Sequence, residues 1–286
     1  MNCVSFSSDS QSELNSSLWR GGIPCRAFLK AGHSYTILNI HRWLDKDPAC
    51  IRACAEADIL IVQRVAVEEA ITHIGYWRSM GKAVVVDIDD DYARIQPDNQ
   101  AHKYWGLGTV DITRGPGISY PKTLDRHPIE QLKTAFSMCG GTSPGKLLVE
   151  DWKQYGPMYW VPNYIDSERY LSVPKPRKDP DWITILYGAS MSHVPSFEDS
   201  GIEPALANVF KKRKNVRFVL CGDERVFQRL PVPENRKRYQ RYVRAHEWPK
   251  ILAQADITLA PLAREYDSRR SAIKLEEASL MAIPVV

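Results

Sequence analysis

The stretch ADITLAPLAREYDSRRSAIKLEEASLMAIPVV, residues 255–286, reads as a strand, a polar loop, a helix and a second strand. Residues 257–260 are too short a run for a helix, and Pro261 stops them. A charged loop follows, then a helical pattern over 271–280 and a last short run at 284–286. Strands that are apolar without alternation must be covered on both faces, which is the condition of a strand in a parallel sheet. Strand, crossover helix and strand together make the βαβ unit from which such sheets are built.

The same alternation extends upstream. Strands are expected at 3–6, 35–39, 59–63, 83–88, 136–140 and 159–161, and again at 183–187 and 216–220. Helical patterns fall between them at 24–31, 67–80, 144–155, 204–214 and 248–254. This order predicts an α/β chain of the doubly wound kind. Residues 172–182, SVPKPRKDPDW, carry no apolar period and read as an exposed connection. A boundary is therefore expected near residue 175, between Rossmann-like domains at 1–174 and 175–286 that face each other across a cleft. Open α/β sheets take ligands at the carboxyl ends of their strands, so a nucleotide is expected there. The pattern stops at 282–286 in what reads as a core strand, which implies an incomplete second domain.

Composition narrows the classes. At 286 residues, 44% hydrophobic and 25% charged, the chain is long enough for two ordinary cores. A net charge of +4 permits anionic partners without demanding one. Basic runs occur at 211–214 and through Arg236, Lys237, Arg238, Arg241 and Arg244. Solvated helix faces are the plain reading of these runs, and docking to anionic lipid headgroups is the sharper one. No nucleic-acid module accompanies them, so nucleic acid is not expected as a partner. The six cysteines are scattered, and only Cys50 and Cys54 lie one helical turn apart. With no second pair at zinc spacing, reduced thiols are the expectation. Residues 1–13 lack the features of a signal peptide, and no apolar run approaches the ~20 residues of a spanning helix. The expected location is the cytoplasm, with peripheral contact at the inner membrane face left open.

Two constellations could carry chemistry. A helix N-terminus exposes unpaired N–H groups and partial positive charge, so a helix opening at Ser271 could hold a diphosphate, with Ser271 as its cap. Arg269, Arg270 and Lys274 add charge there, and Glu277 on the same face could accept from ribose hydroxyls. The plain alternative is a solvated helix with an i,i+3 Lys–Glu contact. The second constellation is VVVDIDDDY, where Asp87, Asp89, Asp90 and Asp91 follow a strand. Such a cluster could hold a divalent cation, face an acceptor through Asp89 or Asp90, or form a solvated turn.

Residues 255–286 resemble the donor-binding segment of GT-B glycosyltransferases of the family-4 type. The residues that carry the resemblance are Asp256, Ile257, Ala260, Pro261, Leu262, Ser271, Lys274, Glu277, Ala278, Pro284, Val285 and Val286. Four further stretches resemble that family in the same order. WRGGIPCRAFLKAGHSYTIL (19–38) resembles the first loop and helix of its N-domain, with Gly21 and Gly22 close to a ligand. WVPNYIDSERY (160–170), with Pro162, Asn163 and Asp166, resembles the segment ending that domain. ILYGASMSHVPSFED (185–199) resembles the first strand and glycine loop of the C-domain. VRFVLCGDERV (216–226), with Gly222 and Asp223, resembles the next strand and its turn.

The resemblance implies transfer of a sugar from a nucleotide-diphosphate sugar to a glycan, a lipid-linked glycan or another acceptor. It implies retention of configuration and no required metal or other cofactor. The donor would meet Glu277, Lys274, Ser271, Arg270, Gly188, Ser190, His193 and Gly222, and the acceptor Gly21, Gly22, Asp89 and Asp90. Two positions depart from the family pattern. Its glycine two residues before the proline is Ala282 here, and its upstream glutamate falls at Arg269. Those departures leave a degenerate, non-catalytic nucleotide- or glycan-binding protein as an alternative. The acidic run leaves a metal-dependent phosphohydrolase using residues 87–91 as another.

Overall fold

Apolar residues covered on both faces build the sheets of this chain. The computed structural model describes residues 1–7, 16–64, 66–115 and 118–286. It divides into two units: Met1–Pro97, Ala101–Tyr164 and Arg269–Ser271 form the first, and Asp98–Gln100, Ile165–Ser268 and Ala272–Val286 form the second.

In the first unit, β1 (Asn2–Ser7), β2 (Ser34–Asn39), β3 (Ile59–Gln63) and β4 (Ala83–Asp87) precede a two-stranded antiparallel ribbon of β5 (Thr109–Gly115) and β6 (Ile118–Thr123). After it come β7 (Gly141–Ser143) and β8 (Met158–Trp160). The parallel sheet has the order β2-β1-β3-β4-β7-β8. Phe6, Leu60, Val62 and Val86 from its strands are buried with Trp43, Ile74, Leu132 and Phe136 from the flanking helices. Phe6 stacks on Trp43 with ring centroids 4.7 Å apart. Each such side chain contributes about 1.5–3 kcal/mol by leaving water.

The second unit holds β9 (Ile183–Ala189), β10 (Val216–Gly222), β11 (Lys237–Gln240) and β12 (Ile257–Thr258), all parallel in the order β11-β10-β9-β12. Residues 284–286 lie alongside β12, where the Thr258 N–H donates to Pro284 O at 2.9 Å and the Ala260 N–H to Val286 O at 2.8 Å. One face of this sheet packs Tyr187, Phe197, Leu206, Phe210 and Phe218. The other packs Leu186, Val219, Leu252, Ala278 and Ile283.

Several expectations from the sequence are corrected. Residues 136–139 belong to the helix Pro128–Cys139, and the strand begins after them at Gly141. Ile129, Leu132, Ala135 and Phe136 keep a helical period, and Gly140 at φ +73° ends the helix. The basic stretch after Arg236 is not a helix face but the edge strand β11. The C-terminal helix spans Ile273–Leu280, with Ala272 at its N-cap position and no side-chain cap, so Ser271 does not cap it. All six cysteines are free thiols, and burial pushes Cys3 and Cys54 up to about 12. Among the described residues, no helix is long and apolar enough to cross a membrane.

The turn after that helix explains one departure from the glycosyltransferase pattern. The Ile283 N–H reaches back to Ala278 O at 2.9 Å and the Ala282 N–H to Ser279 O at 3.0 Å. This paired closure places Ala282 in the left-handed region at φ +57°, where glycine is the usual residue because a Cβ is strained. Ala282→Gly is expected to stabilise the fold by about 1 kcal/mol, a rise of roughly 2–4 °C in melting temperature. Calorimetry of the two proteins checks it, and an unchanged or lower melting temperature would contradict the strain.

Candidate functional site

Glu277 lies on the helix Ile273–Leu280 and is only 5% exposed. Both of its carboxylate oxygens accept hydrogen bonds. The Tyr170 hydroxyl donates to Oε1, and the Trp248 indole Nε1–H donates to Oε2 at 3.1 Å. Tyr170 sits on the helix Ser167–Leu171 and Trp248 opens the helix Trp248–Leu252. Neither donor carries charge. Burial therefore dominates and pushes the Glu277 carboxyl up to about 7, although the two hydrogen bonds and Lys274 act in the opposite direction.

The other expected donor-side residues of the second unit lie near the ends of β9 and β10. Lys274 Nζ donates to Gly188 O at 2.7 Å and stands 4.8 Å from the Tyr187 ring centroid. A Cβ on Gly188 would meet the Trp248 ring at 2.6 Å. The glycine thus admits the indole that holds Glu277. Gly222, at φ +130°, closes β10 where a Cβ would meet Ala189 O at 1.9 Å. Just past β9, Ser190 Oγ lies 2.7 Å from His193 Nδ1, which also accepts from the Ser190 N–H at 3.3 Å.

In the first unit the acidic run is answered by arginines. Asp87, at the end of β4, accepts from Arg20 Nη2 at 2.5 Å, from Arg20 Nε at 3.0 Å and from Thr142 Oγ1 at 2.7 Å. Arg20 Nη1 donates to Val161 O at 2.6 Å and to Asn163 Oδ1 at 3.1 Å. Burial opposes the Arg20 charge, yet Asp87 outweighs it and raises the guanidinium pKa. Asp89 pairs with Arg64 at 2.8 Å and accepts from the Tyr92 hydroxyl at 2.7 Å. Burial works to raise its carboxyl, but Arg64 and those hydrogen bonds hold it below the usual range. Asp90 faces Arg270 at 3.7 Å.

Asp91 is fully buried. Its Oδ2 lies 2.8 Å from Arg94 and 3.4 Å from Arg269, while its Oδ1 has no hydrogen-bond partner. Burial outweighs the arginines here and pushes the carboxyl up. Arg94 and Arg269 also meet Asp151, at 2.8 and 2.5 Å. Among the described residues, no group of three or more His, Cys, Asp or Glu side chains is arranged to hold a metal ion.

Gly21 and Gly22 form a single π-turn, Leu18–Gly22, that leads into the helix Ile23–Lys30. Neither needs a positive φ, and a Cβ on Gly21 would meet Ile37 at an ordinary 3.5 Å. Arg20, Arg64, Tyr170 and Trp248 were not legible as site residues. Each acts on a carboxylate 25 or more positions away in the chain, so no local spacing pairs them.

No family model matches this chain, and no curated protein matches it. Solved structures do. A sucrose-phosphate synthase from Thermosynechococcus elongatus superposes with a TM-score of 0.59 at 10% identity, covering 100% of this chain and 80% of its own. AviGT4, a glycosyltransferase involved in avilamycin A biosynthesis, gives 0.54 at 13% identity, over 100% and 78%. The UDP-GlcNAc 2-epimerase from Methanocaldococcus jannaschii gives 0.53 at 11%, over 100% and 83%. At these identities the likeness establishes the fold: the chain is a GT-B-type α/β protein built of Rossmann-like units.

The Glu277 environment sets a pH dependence. Its carboxyl stands near 7 in the folded chain against 4.5 for an ordinary glutamate, so the folded state holds the proton more tightly. That stability is present below about pH 4.5 and is lost as pH rises through about 7, an effect on the order of 3 kcal/mol. Glu277→Gln, which cannot ionise, is expected to gain melting temperature relative to wild type between pH 5 and pH 8. Parallel melting curves for the two proteins over that range would show that Glu277 titrates normally.

Proposed function

We propose that this protein binds a nucleotide-diphosphate sugar in its second unit and transfers the sugar to a glycan, a lipid-linked glycan or a related acceptor. The observation that carries the reading is Glu277, a carboxylate held by two neutral donors on the helix whose sequence matches the glycosyltransferase donor segment. A carboxylate offers about four acceptor sites, so Glu277 can accept from a ribose hydroxyl beside the two neutral donors that hold it. The diphosphate would lie toward Lys274, Ser190, His193 and the turns at Gly188 and Gly222. Positive charge and N–H groups there would stabilise the departing nucleotide diphosphate. Gly21, Gly22, Asp89 and Asp90 form the proposed acceptor side.

Retention of configuration, independence of metal and a cytoplasmic location belong to the same proposal. The arginine-paired Asp87 and Asp89 lend no support to a metal-dependent phosphohydrolase. One observation favours a second reading, a binding protein without turnover. Arg269 stands where the glycosyltransferase pattern has its upstream glutamate, and it is engaged with Asp151 and Asp91.

Thermal-shift titrations with a panel of nucleotide diphosphates and nucleotide sugars, with and without EDTA, test the proposal. One nucleotide is expected to raise the melting temperature irrespective of EDTA. Glu277→Ala is expected to weaken its binding roughly 10- to 100-fold, the worth of a charge-assisted hydrogen bond. Binding without hydrolysis or transfer of any nucleotide sugar would favour the second reading. No shift with any nucleotide would contradict the donor site and leave the second reading only as a glycan-binding protein.

A further inference from the structure

Charge is distributed unevenly along this chain. Residues 211–214, KKRK, and 236–250, RKRYQRYVRAHEWPK, contain ten lysines and arginines against one acid, Glu247. They therefore carry +9 in a chain whose net charge is +4, and everything outside them sums to −5.

The fold makes one surface of these two segments. KKRK ends the helix Ile202–Lys212, and RKRY begins at the edge strand β11. Arg236 fastens the two together, donating from Nη2 to Phe210 O at 2.9 Å and from Nη1 to Arg213 O at 2.8 Å and Lys214 O at 3.3 Å. With Arg236 fixed this way, Lys211, Lys212 and Lys214 stand exposed at the helix end, and Arg238, Arg241 and Arg244 are exposed along and beyond the strand. Guarding a four-residue edge strand against pairing takes one or two lysines. This concentration goes well beyond that.

We infer that this edge of the second unit docks on an anionic lipid bilayer. Each basic side chain brought near such a surface strengthens binding by about a factor of five, so several in one patch suffice for peripheral association. Tyr242, 57% exposed among the arginines, is a residue suited to the headgroup region. A single-stranded nucleic acid would instead need a platform of aromatic rings for its bases. The other tyrosine of the segment, Tyr239, is turned inward, with its ring 5.4 Å from Phe227 and its hydroxyl donating to Gly222 O at 2.9 Å.

Co-sedimentation of the full chain with vesicles tests the inference. The probes are pure phosphatidylcholine and phosphatidylcholine mixed with phosphatidylglycerol, each at low and high salt. Binding is expected only to the anionic vesicles and only at low salt. Lys211→Glu/Lys212→Glu/Lys214→Glu is expected to weaken it roughly 100-fold or more. Arg238→Gln/Arg241→Gln/Arg244→Gln provides an independent set should the first fold poorly, with thermal melting as the check on both. Equal binding to neutral vesicles, no binding to anionic ones, or tighter binding to single-stranded RNA would overturn the inference. The assay contains no donor or acceptor, so its outcome is independent of the nucleotide proposal.

Discussion

A carboxylate removed from water costs several kcal/mol unless something answers its charge, and two of the buried carboxylates of this chain, Asp87 in the first unit and Glu277 in the second, are answered in opposite ways. The first unit answers Asp87 with a cation. Arg20 grips it through two nitrogens, Thr142 adds a third donor, and the remaining Arg20 nitrogen ties in Val161 and Asn163. The arrangement joins the π-turn, β4, β7 and the segment after β8. The second unit answers Glu277 with a phenol and an indole, both neutral. Burial pushes that carboxyl up to about 7. One carboxylate is held by a cation, and the other by two neutral donors.

The glycines follow from the same contrast. Gly188 gives room to the indole that holds Glu277, and Gly222 lets the ends of β9 and β10 close on one another. The proposed donor pocket therefore depends on small residues whose first duty is packing. Ala282 shows the reverse. The turn after the Glu277 helix demands a left-handed residue and receives an alanine. The backbone geometry is kept, so the departure from the glycosyltransferase pattern there is one of strain.

Much of the fold was legible because a parallel sheet buries its strands on both faces and leaves continuous apolar runs. Residues 59–63 and 183–187 could be read directly, and they coincide with β3 and the greater part of β9. The reading failed where an apolar run kept a helical period, at 136–139, and where a strand was built of charged residues, at Lys237–Gln240. Glu277 and Lys274 were singled out through the resemblance to a donor-binding segment, their spacing alone fitting a solvated i,i+3 pair as well. Their partners were not, because Tyr170 lies 107 residues from Glu277 and is brought to it only by the fold. Composition left the acidic run open as a cation site, an acceptor contact or a solvated turn, since nothing local reveals that Arg20 and Arg64 arrive from other elements.

The central claim is that Glu277 is the residue of the second unit that meets the nucleotide. A crystal structure of the chain with the nucleoside diphosphate that binds it would test this most directly. The account predicts ribose hydroxyls within hydrogen-bond distance of the Glu277 carboxylate, with the diphosphate toward Lys274 and the turn after β9. A nucleotide bound elsewhere, with Glu277 still held by Tyr170 and Trp248 alone, would contradict it.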